Sequence, residues 1–291
     1  MLEHINASPM LPKRVVIMGA AGFVGGAIAL RLRREGVSVL ALTSSDINLL
    51  DADADQRLAA MLDPADAFVA ASARAPVKNC DMLLENLVMT RAMVRALSIR
   101  EVAHVVNISS DAIYADSDSP LTESSCASPD SLHGAMHLTR ETMFRNEVKA
   151  PIAMLRPSLI YGASDPHNGY GPNRFRRLAN AGRDIELFGE GEERRDHVYI
   201  DDVAELAAQV LLWRSQGSLN IATGEVHSFR SVAEQVIALS AHDVALKKIP
   251  RNGPIPHNGF RPFAISTCKA AFPNFSYTLL KEGLEKLHSN E

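Results

Sequence analysis

The sequence predicts an α/β fold, a doubly wound parallel sheet with a smaller C-terminal substrate-binding lobe. Three observations predict it. Short apolar runs alternate with stretches of helical periodicity from Arg14 to Leu155. A glycine-rich turn, Gly19-Ala-Ala-Gly22-Phe-Val-Gly25, stands between the first strand and the first helix. After Arg156-Pro157 the texture changes to loops interleaved with short elements. Strands that alternate with helices lie parallel, with the helices on the sheet faces.

The elements follow in order. Arg14 to Met18 is a short β-branched run that reads as a buried strand. Ala27 to Arg34 has helical patterning and ends at Gly36, a residue suited to a helix C-terminus. Val37 to Leu42 is the second strand, Gln56 to Leu62 a short helix and Ala67 to Ala70 the third strand. Met82 to Ile99 carries apolar residues at helical spacing, and Val102 to Ile108 is a further strand. Leu132 to Val148 is a long helix, followed by the strand Ile152 to Leu155. Residues 162–173 are rich in Gly, Pro, Asn and Asp and read as a loop.

Composition excludes several classes. The 291 residues are 46% hydrophobic and 22% charged, which suits a globular chain with a sizeable core. The net charge of −4 offers no basic field for nucleic acid. No apolar run approaches the ~18 residues of a membrane span. Residues 1–12 have no basic stretch followed by an apolar core, so they read as a loose leader and not as a signal peptide. Three cysteines at irregular spacing fit free thiols in a reducing compartment, so the expectation is a cytoplasmic protein.

Glycines between a strand and a helix let the backbone approach a pyrophosphate, and the helix N-terminus offers it free N–H groups. The competing reading is a tight turn with no ligand. The placement favours a Rossmann-type dinucleotide site. The expected division is a leader at 1–12 and a dinucleotide-binding domain at 13–160, with a returning segment around 197–225. The substrate-binding lobe then comprises 161–196 and 226–291.

The GxxGxxG spacing resembles the extended short-chain dehydrogenase/reductase superfamily, the sugar-nucleotide epimerases, dehydratases and reductases. Other segments resemble it in the same order: Asp46-Ile-Asn-Leu-Leu-Asp51, Val69-Ala-Ala71, Asn107 to Tyr114, Leu155-Arg-Pro157 with Tyr161-Gly162, Arg194-Arg-Asp196 with Tyr199 to Val203, Asn220 to Gly224, Arg261-Pro262 and Gly283-Leu284. The resemblance implies a cofactor site built from Gly19, Ala21, Gly22, Phe23, Val24, Gly25, Thr43, Ser44, Leu50, Asp51, Ala70, Ala71, Asn86, Ser109 and Pro157. It also implies a nucleotide-sugar substrate met by Asp111, Asn173, Arg195 and Arg261. Guanidinium groups suit a diphosphate because they present a planar fork of donors, although a surface ion pair is the commoner fate of an arginine. Thr43-Ser-Ser45 ends the second strand without a carboxylate before Asp46, so the reading leans to NADP over NAD. The resemblance further implies a homodimer through the two helices that include the one after Leu132.

In that superfamily a tyrosine and a lysine four residues apart perform the proton chemistry. Here the matching positions are His133 and His137, with Ser110 at the place of the catalytic serine. Three readings compete. His133 is the acid/base, since imidazole titrates near neutrality, while His137 meets the ribose. Alternatively, hydride chemistry is lost and the fold binds a dinucleotide as a regulatory or structural subunit. The third reading makes the pair metal ligands with His167, but the ligand set is poor, and the expectation is no metal. Two histidines on a half-buried helix face are the plain structural alternative.

Overall fold

The computed structural model describes residues 2–289, so Met1 of the expected leader and Asn290 and Glu291 of the expected lobe lie outside it. The strands are β1 (Glu3–His4), β2 (Val15–Met18), β3 (Val39–Leu42), β4 (Ala67–Ala70), β5 (His104–Ile108), β6 (Ile152–Pro157), β7 (Leu159–Tyr161), β8 (Ile185–Phe188), β9 (Arg194–Arg195), β10 (His197–Tyr199), β11 (Ser215–Ile221), β12 (His227–Ser228), β13 (Leu246–Ile249) and β14 (Phe260–Arg261). The helices are α1 (Phe23–Arg34), α2 (Ala54–Met61), α3 (Cys80–Ile99), α4 (Leu132–Glu147), α5 (Pro172–Asn180), α6 (Ile200–Leu212), α7 (Phe229–Leu239), α8 (Ser266–Ala271) and α9 (Leu280–Ser289).

The main sheet has the order β1-β11-β6-β5-β4-β2-β3, parallel except for β1. Val15 of β2 is paired with Val39 on one side and Ala67 on the other. The strand order therefore reverses at β2, and the turn after it opens at the switch point where α/β sheets bind ligands. Alternation along β2 explains its unbroken apolar run. Val15 and Ile17 pack with α1 and α6 on one face, and Val16 and Met18 pack with α2 and α3 on the other. A separate core of Tyr161, Phe175, Leu187, Phe229, Val232 and Leu284 joins α5, α7 and α9 to the β8–β13 pair.

Two departures from the sequence reading have local causes. Residues 1–12 were expected as a loose leader, but Glu3 and His4 add an antiparallel strand to β11. His4 stacks on Trp213 at 4.6 Å and bonds Ser215 Oγ at 2.8 Å, so the segment covers a sheet edge that would otherwise be bare. A two-residue strand carries no periodicity to read. The second departure is α5, which begins inside the expected loop 162–173. Pro172 occupies its first turn, where a missing N–H costs nothing.

Candidate active site

The glycine turn is shaped for close approach. Gly19 has φ +98°, and a Cβ on it would lie 2.5 Å from Ser72 N. A Cβ on Gly25 would lie 2.3 Å from Gly19 O, so the helix can start against the turn only with glycine there. Gly22 is the N-cap of α1 and no side chain caps the first turn. Ala21, Phe23 and Val24 thus present backbone at an uncapped helix end, while the Phe23 ring faces Gly162. Backbone cradle and helix dipole both fit a pyrophosphate.

At the end of β3, Thr43 and Ser44 form a turn closed by Asp46. Its Oδ2 accepts from Thr43 N and Thr43 Oγ1, both at 2.8 Å. These bonds hold the Asp46 carboxyl below its ordinary value. The turn that carries the lean to NADP therefore also holds the Asp46 carboxylate against Thr43. Leu50 N bonds Asn48 Oδ1, and Asp51 accepts from Asn48 and Arg57. Ala70 and Ala71 end β4, where Ala71 N bonds Met18 O of the neighbouring strand. Asn86, an expected cofactor contact, is engaged within the protein. Its side chain bonds Arg74 N, Arg74 O and Met82 O, so it braces the loop after β4.

The carboxyl end of β5 carries the residues expected to be catalytic. Ser109 is buried, and Ser110 caps the short turn Asp111–Ile113, its Oγ accepting from Ala112 N at 3.1 Å. Helix α4 is seated on that turn: a Cβ at Gly134 would stand 2.0 Å from Ala112 O. Gly134 thereby brings His133 beside the Ser110 turn. The His133 and His137 rings meet edge to face with centroids 4.7 Å apart. Burial lowers the pKa of both. Asp111 opposes that shift at His133 and His167 adds to it, while His133 and Arg140 add to it at His137. His137 is 6% exposed, and its Nδ1 has no hydrogen-bond partner among the described residues. His167 does face His133, yet among the described residues no three His, Cys, Asp or Glu side chains converge as metal ligands.

The expected substrate arginines stand side by side, because β14 pairs with β9 in the register Arg261↔Arg195. Both are buried and already engaged. Arg261 bonds Asp111 Oδ2 at 2.9 Å and Asp116 Oδ1 at 3.0 Å. Arg195 Nη2 bonds Glu193 Oε1 at 2.5 Å, while its Nη1 has no hydrogen-bond partner among the described residues. Asp111 thus links the arginines to His133. Asn173, an expected substrate contact, has its amide bonded to Gly162 N and Ile160 O, where it fixes the turn after β7. Pro157 closes β6, paired with Ile221.

The profile of the NAD dependent epimerase/dehydratase family matches residues 15–222. The chain belongs to this family. It is 28% identical over 222 residues to a UDP-glucose 4-epimerase of Mycolicibacterium smegmatis, covering 66% of this chain and 71% of that one. It is 23% identical over 269 residues to a dTDP-4-dehydro-6-deoxy-D-allose reductase of Streptomyces bikiniensis, covering 78% and 81%. The fold matches a UDP-glucose 4-epimerase of Thermotoga maritima with TM-score 0.83 at 20% identity, over 95% of this chain and 97% of that one.

Two side chains of α4 gain partners in the fold that their spacing along the helix does not reveal. Glu141 is buried and forked to Arg156, with Oε1 to Nε at 2.8 Å and Oε2 to Nη2 at 2.7 Å. Burial works against both charges, yet the pairing holds the Glu141 carboxyl low and the Arg156 guanidinium high. Arg156 continues to Tyr114 OH at 2.7 Å, and Tyr114 donates to Asn220 Oδ1 at 2.6 Å. This chain of bonds ties α4 to β6 and β11. The second is Arg140, buried one turn beyond His137. The only sequence signal for either was their spacing along the same helix face.

Proposed function

We propose that the protein is a nicotinamide-dependent oxidoreductase or epimerase acting on a nucleotide-linked sugar, with His133 as its proton-transfer group. One observation carries the reading. The phosphate-binding turn after β2 and the Ser110–His133 pair after β5 open on the same carboxyl edge of one parallel sheet. A bound nicotinamide ring supplies hydride transfer. The chain supplies the rest. The Gly19–Gly25 turn binds the pyrophosphate, Ser110 Oγ polarises the reacting oxygen and a ring nitrogen of His133 exchanges its proton. The buried, unpartnered Nδ1 of His137 suits a ribose hydroxyl, because an unpaired buried polar atom is costly. Arg195 meets the diphosphate through its open Nη1, and Arg261 joins it once Asp111 and Asp116 yield it. Asp46 at the end of β3 favours the 2′-hydroxyl of NAD over a 2′-phosphate.

The relatives' names support a nucleotide-sugar substrate, since both enzymes act on one. We also read the protein as a cytoplasmic homodimer. The support is three free cysteines and the exposed Leu84 and Ile99 on α3, next to α4. Among the described residues no helix is long and apolar enough to cross a membrane. The test is to follow nicotinamide absorbance with purified protein while nucleotide sugars are screened. Turnover that disappears in His133→Ala is the expected result. Cofactor binding without turnover of any sugar nucleotide would instead mark a binding protein.

A further inference from the structure

Arg140 is 1% exposed, a rare location for a guanidinium. Its three nitrogens are spent on neutral acceptors. Nε bonds Asn107 Oδ1 at 2.6 Å, Nη1 bonds Ser72 O at 2.6 Å and Nη2 bonds Ala70 O at 2.8 Å. It forms no ion pair among the described residues, and burial alone pulls its pKa down, to about 10. The group therefore stays charged at neutral pH. A buried charge normally finds a counter-ion or is lost. Here the carboxylate closest along α4, Glu141, is already forked to Arg156.

Position gives this charge a use. His133, His137 and Arg140 follow one another at spacings of four and three residues, so they share one stripe of α4. The guanidinium is anchored to the carboxyl ends of β4 and β5, under the edge where the proposed site opens. We propose that Arg140 is a positioning residue whose positive charge, unpaired by any carboxylate, adds to burial in holding His137, and through it His133, in the neutral, proton-accepting state. This role rests on the proposed function for its kinetic meaning, but its physical content is independent of turnover.

The groups around the pair are few. Arg140 and His133 act on His137, and Asp111 and His167 act on His133. From β5 comes the neutral Asn107 that holds Arg140, Glu141 on the next turn of α4 is paired with Arg156, and the loop after β4 offers the Val77 N–H at 3.5 Å from His133 Nδ1. Asp111 is the one carboxylate that draws His133 toward protonation, and Arg261 shares it. Arg140 is the only permanent cation acting directly on His137 among these groups.

The experiment is an NMR titration of isotope-labelled histidines in the full chain, using wild type, Arg140→Gln and Asn107→Asp. The first variant removes the charge and keeps a donor. The second leaves Arg140 in place and supplies a counter-ion in a side chain of equal size. The expected result is a rise of the His137 pKa by about one unit or more in both, the size a nearby charge produces. The acid limb of the rate profile should move by the same amount. A His137 titration unchanged in either folded variant overturns the proposal. Wild-type protein that never turns over a sugar nucleotide would overturn the functional reading while leaving the titration to judge Arg140.

Discussion

His133 and His137 stand edge to face on α4, with ring centroids 4.7 Å apart and ring planes at 88°. Two imidazoles this close cannot both be charged without repelling, and burial already disfavours charge on each. Burial and mutual repulsion therefore favour the neutral form of both rings, with the half-buried His133 toward the Ser110 turn and the buried His137 behind it.

If His133 moves the proton, its removal should cost the general acid–base contribution and little else. His133→Ala is expected to lower kcat by about 10²- to 10⁴-fold. Cofactor affinity, measured by isothermal titration, should stay near the wild-type value because the phosphate turn is untouched. In the wild-type enzyme the rate should fall on the acid side, at a pH below the ordinary histidine value, as the pair takes up a proton.

Acid should also destabilise the fold itself. His104 is buried with its Nε2 at 2.7 Å from Ser215 O, and burial lowers its pKa to about 4. A histidine with a depressed folded pKa binds fewer protons folded than unfolded between the two values. Its stabilising contribution is complete above about 6.5 and is lost as pH falls toward 4. At pH 5 that amounts to about 2 kcal/mol. Thermal melts at pH 7.5 and pH 5 should therefore differ, and His104→Gln should reduce the difference.

Cofactor choice should respond to the turn after β3. Asp46 is held by two hydrogen bonds from Thr43, so its charge is fixed at the strand end where the proposed function places the 2′-substituent. Asp46→Asn is expected to raise kcat/KM for NADP relative to NAD. A wild-type enzyme that already prefers NADP would count against the assignment.

The Glu141–Arg156 pair should matter for stability out of proportion to its size. Removing one member of a buried pair strands the other charge, at a cost of about 3–5 kcal/mol. Glu141→Gln should shift the urea midpoint by that equivalent, and a surface pair such as Lys149–Glu101 should shift it far less.

The sequence alone determined the strands and helices from Arg14 to Leu155 and the phosphate turn, but not β1 or the short elements after Pro157. Each depends on local chemistry: apolar runs of period two or 3.6, and glycines where a Cβ cannot fit. It also marked His133 and His137, because position relative to Ser110 and Gly134 is itself a sequence property. Tertiary structure decided everything that depends on partners far apart in the chain. Asn86 and Asn173 turned inward because unpaired loop backbone lay within reach. The segment at Glu3 found the bare edge of β11, and Arg140 found carbonyls 68 and 70 residues away along the chain. Hydrogen bonds to distant backbone, and burial that removes water as the alternative partner, leave no periodicity in a sequence. They are what turn two histidines on one helix into a site with a defined charge.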